Sequence, residues 1–157
     1  MKLKNILIVL ILSSALYGDK VEITSISMEA KNLKKEVTFI ENVKIKQVDS
    51  WLNADKVVVF FDENNETKKY DATGNVEFEF INIEKKTSYK GKAKKVTYFP
   101  IKDLYILTGK AVVTDTINNR TIKGDLINLD MATGDANVEG KNNKPVKFIF
   151  DMAKKGK

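Results

Sequence analysis

The chain has 157 residues, a formal net charge of +6, and neither cysteine nor histidine. It therefore lacks the residues that most often serve as general base, metal ligand or activated nucleophile, and it can form no disulfide. Its basic side chains include a single arginine, Arg120, and its lysines alternate with acids, which excludes the arginine-bearing stripe with stacking aromatics that nucleic-acid binding uses.

In chain order, Lys2 and Lys4 precede an apolar run over 6–12, and Ser13, Ser14, Ala15 and Gly18 follow it. A positive start, a short apolar centre and a small-residue exit predict a secretory signal peptide over 1–18, cut after Ala15 or Gly18. The alternative is an uncleaved anchor, but Asp19 and Lys20 close the run well short of the about 20 apolar residues a spanning helix needs. The expectation is one exported domain over 19–152, followed by a loose basic tail over 153–157.

From residue 21 onward the pattern is period two. In Val43-Lys44-Ile45-Lys46 and Val76-Glu77-Phe78-Glu79-Phe80, apolar and charged residues alternate, the mark of a half-buried strand. Turn chemistry separates the runs at Asp62-Glu63-Asn64-Asn65, Asn118-Asn119 and Lys141-Asn142-Asn143. The runs resemble one another. Glu41-Asn42-Val43, Gly74-Asn75-Val76 and Gly109-Lys110-Ala111 each end one alternation and begin the next, and Gly140 begins a truncated copy, at intervals of about 31–35 residues. A second mark, a small residue three before an aliphatic one, reads Ala30-x-x-Leu33, Ala54-x-x-Val57, Ala93-x-x-Val96 and Gly124-x-x-Ile127. A small residue lets a strand bend, and a bulge there resets the alternation. Two sets of bends would fold long hairpins into facing layers, giving a β-jellyroll or short solenoid; a plain β-sandwich is the alternative.

Acids near the bends, Asp55, Asp125 and Asp130, are spread along the chain. They form neither the facing pair of a glycosidase nor the tight cluster of a calcium loop. No catalytic residue, cofactor or metal ligand is expected.

Several segments carry a family resemblance. Leu52-Asn53-Ala54-Asp55-Lys56-Val57-Val58-Val59 resembles the leucine-x-alanine-aspartate corner and valine-rich strand of the LptA family (OstA-like domain) of periplasmic lipopolysaccharide-transport proteins. Tyr70-Asp71-Ala72-Thr73-Gly74-Asn75-Val76, Tyr89-Lys90-Gly91-Lys92-Ala93, Tyr105-Ile106-Leu107-Thr108-Gly109 and Pro145-Val146-Lys147-Phe148 resemble further segments, in order, across roughly 21–150. Glu41 departs from the pattern, which usually has glycine at the first corner. The resemblance implies an all-β antiparallel jellyroll of bent hairpins, open at both ends, whose apolar interior takes the acyl chains of lipopolysaccharide. It further implies location in the periplasm, partners in the inner- and outer-membrane transport components, and head-to-tail association of the protein with itself.

Parity says which side chains would line such an interior. They are Val43, Ile45, Leu52, Val57, Val59, Tyr70, Val76, Phe78, Phe80, Val96, Tyr98, Tyr105, Leu107, Val113, Ile127, Leu129, Phe148 and Phe150, with Ala72 and Ala111 on the same face. The same residues could pack on each other as a dry core, so a scaffold protein polymerising through its strand edges, or a soluble carrier of another lipid, are the competing readings. There is no phosphate-binding Gly-x-x-x-x-Gly-Lys loop, so a lipid carrier here would be passive. Asn65, in Glu63-Asn64-Asn65-Glu66-Thr67, is a candidate N-glycosylation acceptor. The edge segments near 21–28 and 145–152 are expected to pair with other chains.

Overall fold

A computed structural model describes residues 20–153. The signal peptide expected over 1–18 lies outside the described residues, as do residue 19 and the tail residues 154–157. Ten antiparallel strands form one sheet. At its centre β3 (Glu36–Gln47), β4 (Ser50–Phe61), β5 (Thr67–Asn82), β6 (Thr87–Phe99), β7 (Leu104–Asp115) and β8 (Arg120–Asp130) run as a meander. One edge is split into β1 (Val21–Thr24), paired to the second half of β3, and β2 (Ser27–Lys31), paired to its first half. The other edge is split likewise: β9 (Asp135–Glu139) pairs one half of β8 and β10 (Lys147–Phe150) the other. Each edge thus acts as one bent strand, and the sheet does not close.

The bends cross the sheet in line. The register shifts between Ile40 and Val43 on β3, Thr73 and Val76 on β5, and Thr108 and Ala111 on β7. At each shift the odd-numbered strand has one residue more than its neighbour, which is a β-bulge. The extra length is taken up by two consecutive residues with positive φ: Glu41 and Asn42 (66° and 48°), Gly74 and Asn75 (82° and 47°), Gly109 and Lys110 (84° and 46°). The even-numbered strands turn the same corner at Ala54-Asp55, Ala93-Lys94 and Gly124-Asp125. Asp55 lies over Gly74 so closely that a Cβ there would overlap its carboxylate, and Asn75 Nδ2 donates to Asp55 Oδ2 at 3.2 Å. The Lys94 stem covers Gly109 in the same way, its Cδ 2.8 Å from where a Cβ would stand.

Glu41 keeps the bend without a glycine for a physical reason. The strand that would cross it is interrupted between Thr24 and Ser27, and only the Ile26 N–H reaches across, donating to the Glu41 carbonyl at 3.0 Å. A Cβ therefore meets no crossing strand there. The first small-x-x-aliphatic mark is corrected: Ala30-x-x-Leu33 is not a bend. Leu33 is 95% exposed in the turn between β2 and β3. At that edge the corner falls at the gap between β1 and β2.

On the inward face the cross-strand partners make continuous apolar rows. One runs Ile23, Ile45, Leu52, Phe78, Gly91, Val113, Ile122, Phe148 on one side of the bends. Another runs Met28, Phe39, Val57, Ala72, Val96, Leu107, Ile127, Val138 on the other. Gly91 interrupts the first row with a hole that the Phe78 ring fills: a Cβ at Gly91 would stand 2.5 Å from Phe78 Cζ. The two half-sheets face each other, and Phe80 from one meets Tyr105 from the other at 4.6 Å between ring centroids. Phe78, Leu107 and Ile127 are fully buried between them, so the middle of the interior is dry.

Candidate functional site

Far from the bends the two half-sheets part, and a cleft of about 560 Å³ opens between their hairpin tips. On one side stand the turn 47–50, joining β3 to β4, and the turn 81–84, joining β5 to β6; on the other stand Asp103, Tyr105 and Met131. Ser50 clamps the first two tips together, since its hydroxyl accepts from the Ile81 N–H at 2.9 Å and donates to the Ile81 carbonyl at 3.3 Å. Apolar side chains line the depth of the cleft: Ile45, Leu52, Phe80, Tyr105 and Met131. Its polar lining residues include Asp49, Glu84 and Asp103, with no lysine or arginine. Lys85 stands outside it, its ammonium donating to the Met131 carbonyl at 3.4 Å and tying one half-sheet to the other.

Two exposed aliphatic residues sit at the tips, Val48 and Ile83. Val48 has φ of 53°, a backbone conformation a β-branched residue rarely adopts. Beside the cleft, neighbouring strands present Tyr70, Tyr98 and Tyr105 in one inward row. Tyr98 stacks on Tyr105 at 4.3 Å, and Tyr70 lies 5.9 Å from Tyr98. The Tyr98 hydroxyl donates to Asp103 Oδ1 at 3.4 Å. Burial raises the pKa of all three phenols, and at Tyr98 and Tyr105 the Asp103 charge adds to it. At working pH the row is a set of neutral hydroxyls at the edge of an apolar space.

Of the residues expected to line an interior, Val43, Leu52, Val57, Val59, Val76, Phe78, Val96, Leu107, Val113, Ile127 and Leu129 are buried in one cluster. Ile45, Tyr70, Phe80 and Tyr105 are half-buried against that cluster, and Tyr98 is half-buried beside Tyr105. Phe148 and Phe150 do not join the packed interior; they are 53% and 57% exposed and stack on each other at 5.1 Å. They have the inward parity, but β10 is the sheet's last strand and nothing flanks its far side. Parity reasoning missed Val37, Phe39 and Phe61, which are buried; the alternation Val37-Thr38-Phe39 was the available signal. It also missed the acidic rim, because Asp49, Glu84 and Asp103 come from three separate turns.

Asn65 lies in the turn between β4 and β5 with φ of 61°. Its side-chain oxygen accepts from Lys35 Nζ at 3.0 Å, and the Thr67 of its acceptor triplet is buried. Among the described residues no group of three or more His, Cys, Asp or Glu side chains is placed to hold a metal ion.

The family model described as "LptA/(LptD N-terminal domain) LPS transport protein" matches residues 22–135. No curated protein matches the chain in sequence. Among solved structures, the fold is similar to LptH, the LptA-homologous periplasmic component of the lipopolysaccharide transport device of Pseudomonas aeruginosa. The TM-score is 0.73 at 16% identity, covering 84% of this chain and 95% of that one. At that identity the likeness speaks for the fold alone. With the family match spanning the bent hairpins from β1 to the start of β9, the chain belongs to the LptA/LptD N-terminal family of lipopolysaccharide-transport proteins.

Proposed function

We propose that this protein binds lipopolysaccharide in the periplasm and carries it passively between inner- and outer-membrane partners. The observation that supports this most is the cleft, a solvent-open space whose apolar lining residues Ile45, Leu52, Phe80 and Tyr105 belong to the inward face of an unclosed sheet. Each methylene taken from water is worth about 0.8 kcal/mol, so an acyl chain of about ten methylenes would cost about 8 kcal/mol to leave exposed. Ile45, Leu52, Phe80 and Tyr105 offer such a chain a first contact, and the row ends at Ile23, Phe148 and Phe150 offer continuity to a neighbour. The centre is packed, so passage through it requires the half-sheets to separate about their line of bends. A head-to-tail row of protomers would extend the apolar face, with the β1/β2 edge of one against the β9/β10 edge of the next.

The packed centre favours one competing reading, a scaffold that polymerises with a dry core. Photo-crosslinking in the native host separates the two. A crosslinker at Phe80 should capture lipopolysaccharide, whereas one at the outward-facing Glu79 should not. Capture at neither position, with no lipid extracted from natively purified protein, would leave the scaffold reading standing.

A further inference from the structure

The charge of the cleft runs against that of the chain. A protein with 27 basic and 21 acidic residues lines this cleft with Asp49, Glu84 and Asp103 and with no basic residue. These acidic residues come from three turns on both half-sheets and share the lining with Ile45, Leu52, Phe80 and Met131. An amphiphile with its chains on those apolar residues would hold its head among the carboxylates. Like charges brought together across such a lining oppose binding, and opposite charges favour it.

We infer that the cleft selects acylated lipids whose head group carries a protonated amine beside the acyl chains, over lipids whose head is anionic alone. This rests on the lipid-carrying reading above and adds the chemistry of the head group. Val48 fits the same picture. Its aliphatic side chain is held at the cleft's lip in a left-handed backbone conformation where glycine or asparagine would be less strained. Such a lip would meet the first methylenes below the head, with Asp49 next to it to meet the amine.

Isothermal titration calorimetry reads binding without a label. The protein is titrated with lipid A bearing two bare phosphates, and with the same lipid whose phosphates are capped by ethanolamine, while the heat of binding is followed. The ethanolamine form should bind about tenfold more tightly, the discrimination that two partly screened ion pairs supply. The preference should shrink as salt rises. Asp49→Asn, Glu84→Gln and Asp103→Asn together should bring the two affinities together, and Glu77→Gln, on the outward face of β5, should leave the preference in place. Circular dichroism checks that the triple variant folds; if it does not, Asp49→Asn with Glu84→Gln, both on exposed turn positions, should lower the preference at least threefold. Equal binding of the two lipids by the wild type overturns the selection and leaves the carrier reading intact. A preference that appears only for the bare phosphates with added magnesium overturns it in favour of a bridging cation. Binding of neither lipid removes the carrier reading itself.

Discussion

Tyr70, Tyr98 and Tyr105 put three hydroxyls into space that is otherwise aliphatic and aromatic. Each phenol keeps its proton more tightly than in water because burial disfavours the phenolate, and Asp103 strengthens the effect at two of them. In the unfolded chain they ionise near the ordinary value of 10.0. The folded state therefore holds more protons than the unfolded state above that pH, and stability must fall as pH rises. Below it both states are protonated, and this contribution is constant. The expected outcome is a urea midpoint insensitive to these groups between pH 7 and 9, then a loss approaching about 1.4 kcal/mol per pH unit per phenol above pH 10. Near-ultraviolet phenolate absorbance should show the three ionising with unfolding rather than before it. Phenolate appearing in the folded protein near pH 10 would mean that the row is open to water.

At the scale of the strand, the bends decide the fold, and their corners differ in what they tolerate. Gly74 combines φ of 82° with the Asp55 side chain directly over it. Gly74→Ala should therefore cost more than about 2 kcal/mol, the left-handed penalty plus displacement of Asp55. Glu41 has the same backbone sense but no crossing strand, so Glu41→Gly should stabilise by about 0.5–1 kcal/mol, strain relief offset by glycine's chain entropy. Chemical denaturation of the two variants beside wild type checks both signs, and a stabilising Gly74→Ala would show that the corner is not built as described. These corners were legible in the sequence because a bulge must break the alternation, and Gly-Asn-Val and Ala-x-x-Val leave that break visible. Ala30-x-x-Leu33 misled because a turn needs small and polar residues as much as a bend does. The interior list was legible from parity wherever a strand has neighbours on both sides. Phe148 and Phe150 have the inward parity but stay exposed, since parity gives direction and not what lies beyond an edge. The acidic rim was not legible at all: Asp49, Glu84 and Asp103 share no local pattern, and only the meeting of separate turns makes them one surface.

For the molecule as a whole, the split edges carry a geometric constraint on assembly. Strand directions alternate across the sheet from β1 to β10, so a second protomer can continue it only with its β1/β2 edge antiparallel to β9/β10. Carrying the inward rows across without a shift sets Phe148 and Phe150 beside Ile23 and Val21 of the next protomer. It also sets Val138 and Ala136 beside its Met28 and Ala30. On the outward face Asp135 then stands opposite Lys31, an opposite-charge pair that favours this register. Slipping by one residue would turn Phe148 outward and break both apolar rows. Such a contact would be heterologous and would not close, so it should yield rods that lengthen with concentration. Because the chain has no cysteine, the register can be read directly. Protein carrying Ala30→Cys and Ala136→Cys should give a ladder of disulfide-linked multimers on mild oxidation, since residues opposed across an antiparallel pair bring their Cβ atoms within disulfide reach. Met28→Cys with Ala136→Cys, displaced by two residues, should link far less. Ending the chain before Pro145 removes β10, whose four residues are all exposed, and should leave a folded monomer that forms no rods in light scattering. Rods from the truncated chain, or cross-linking equally efficient in both cysteine pairs, would show that protomers meet through another surface.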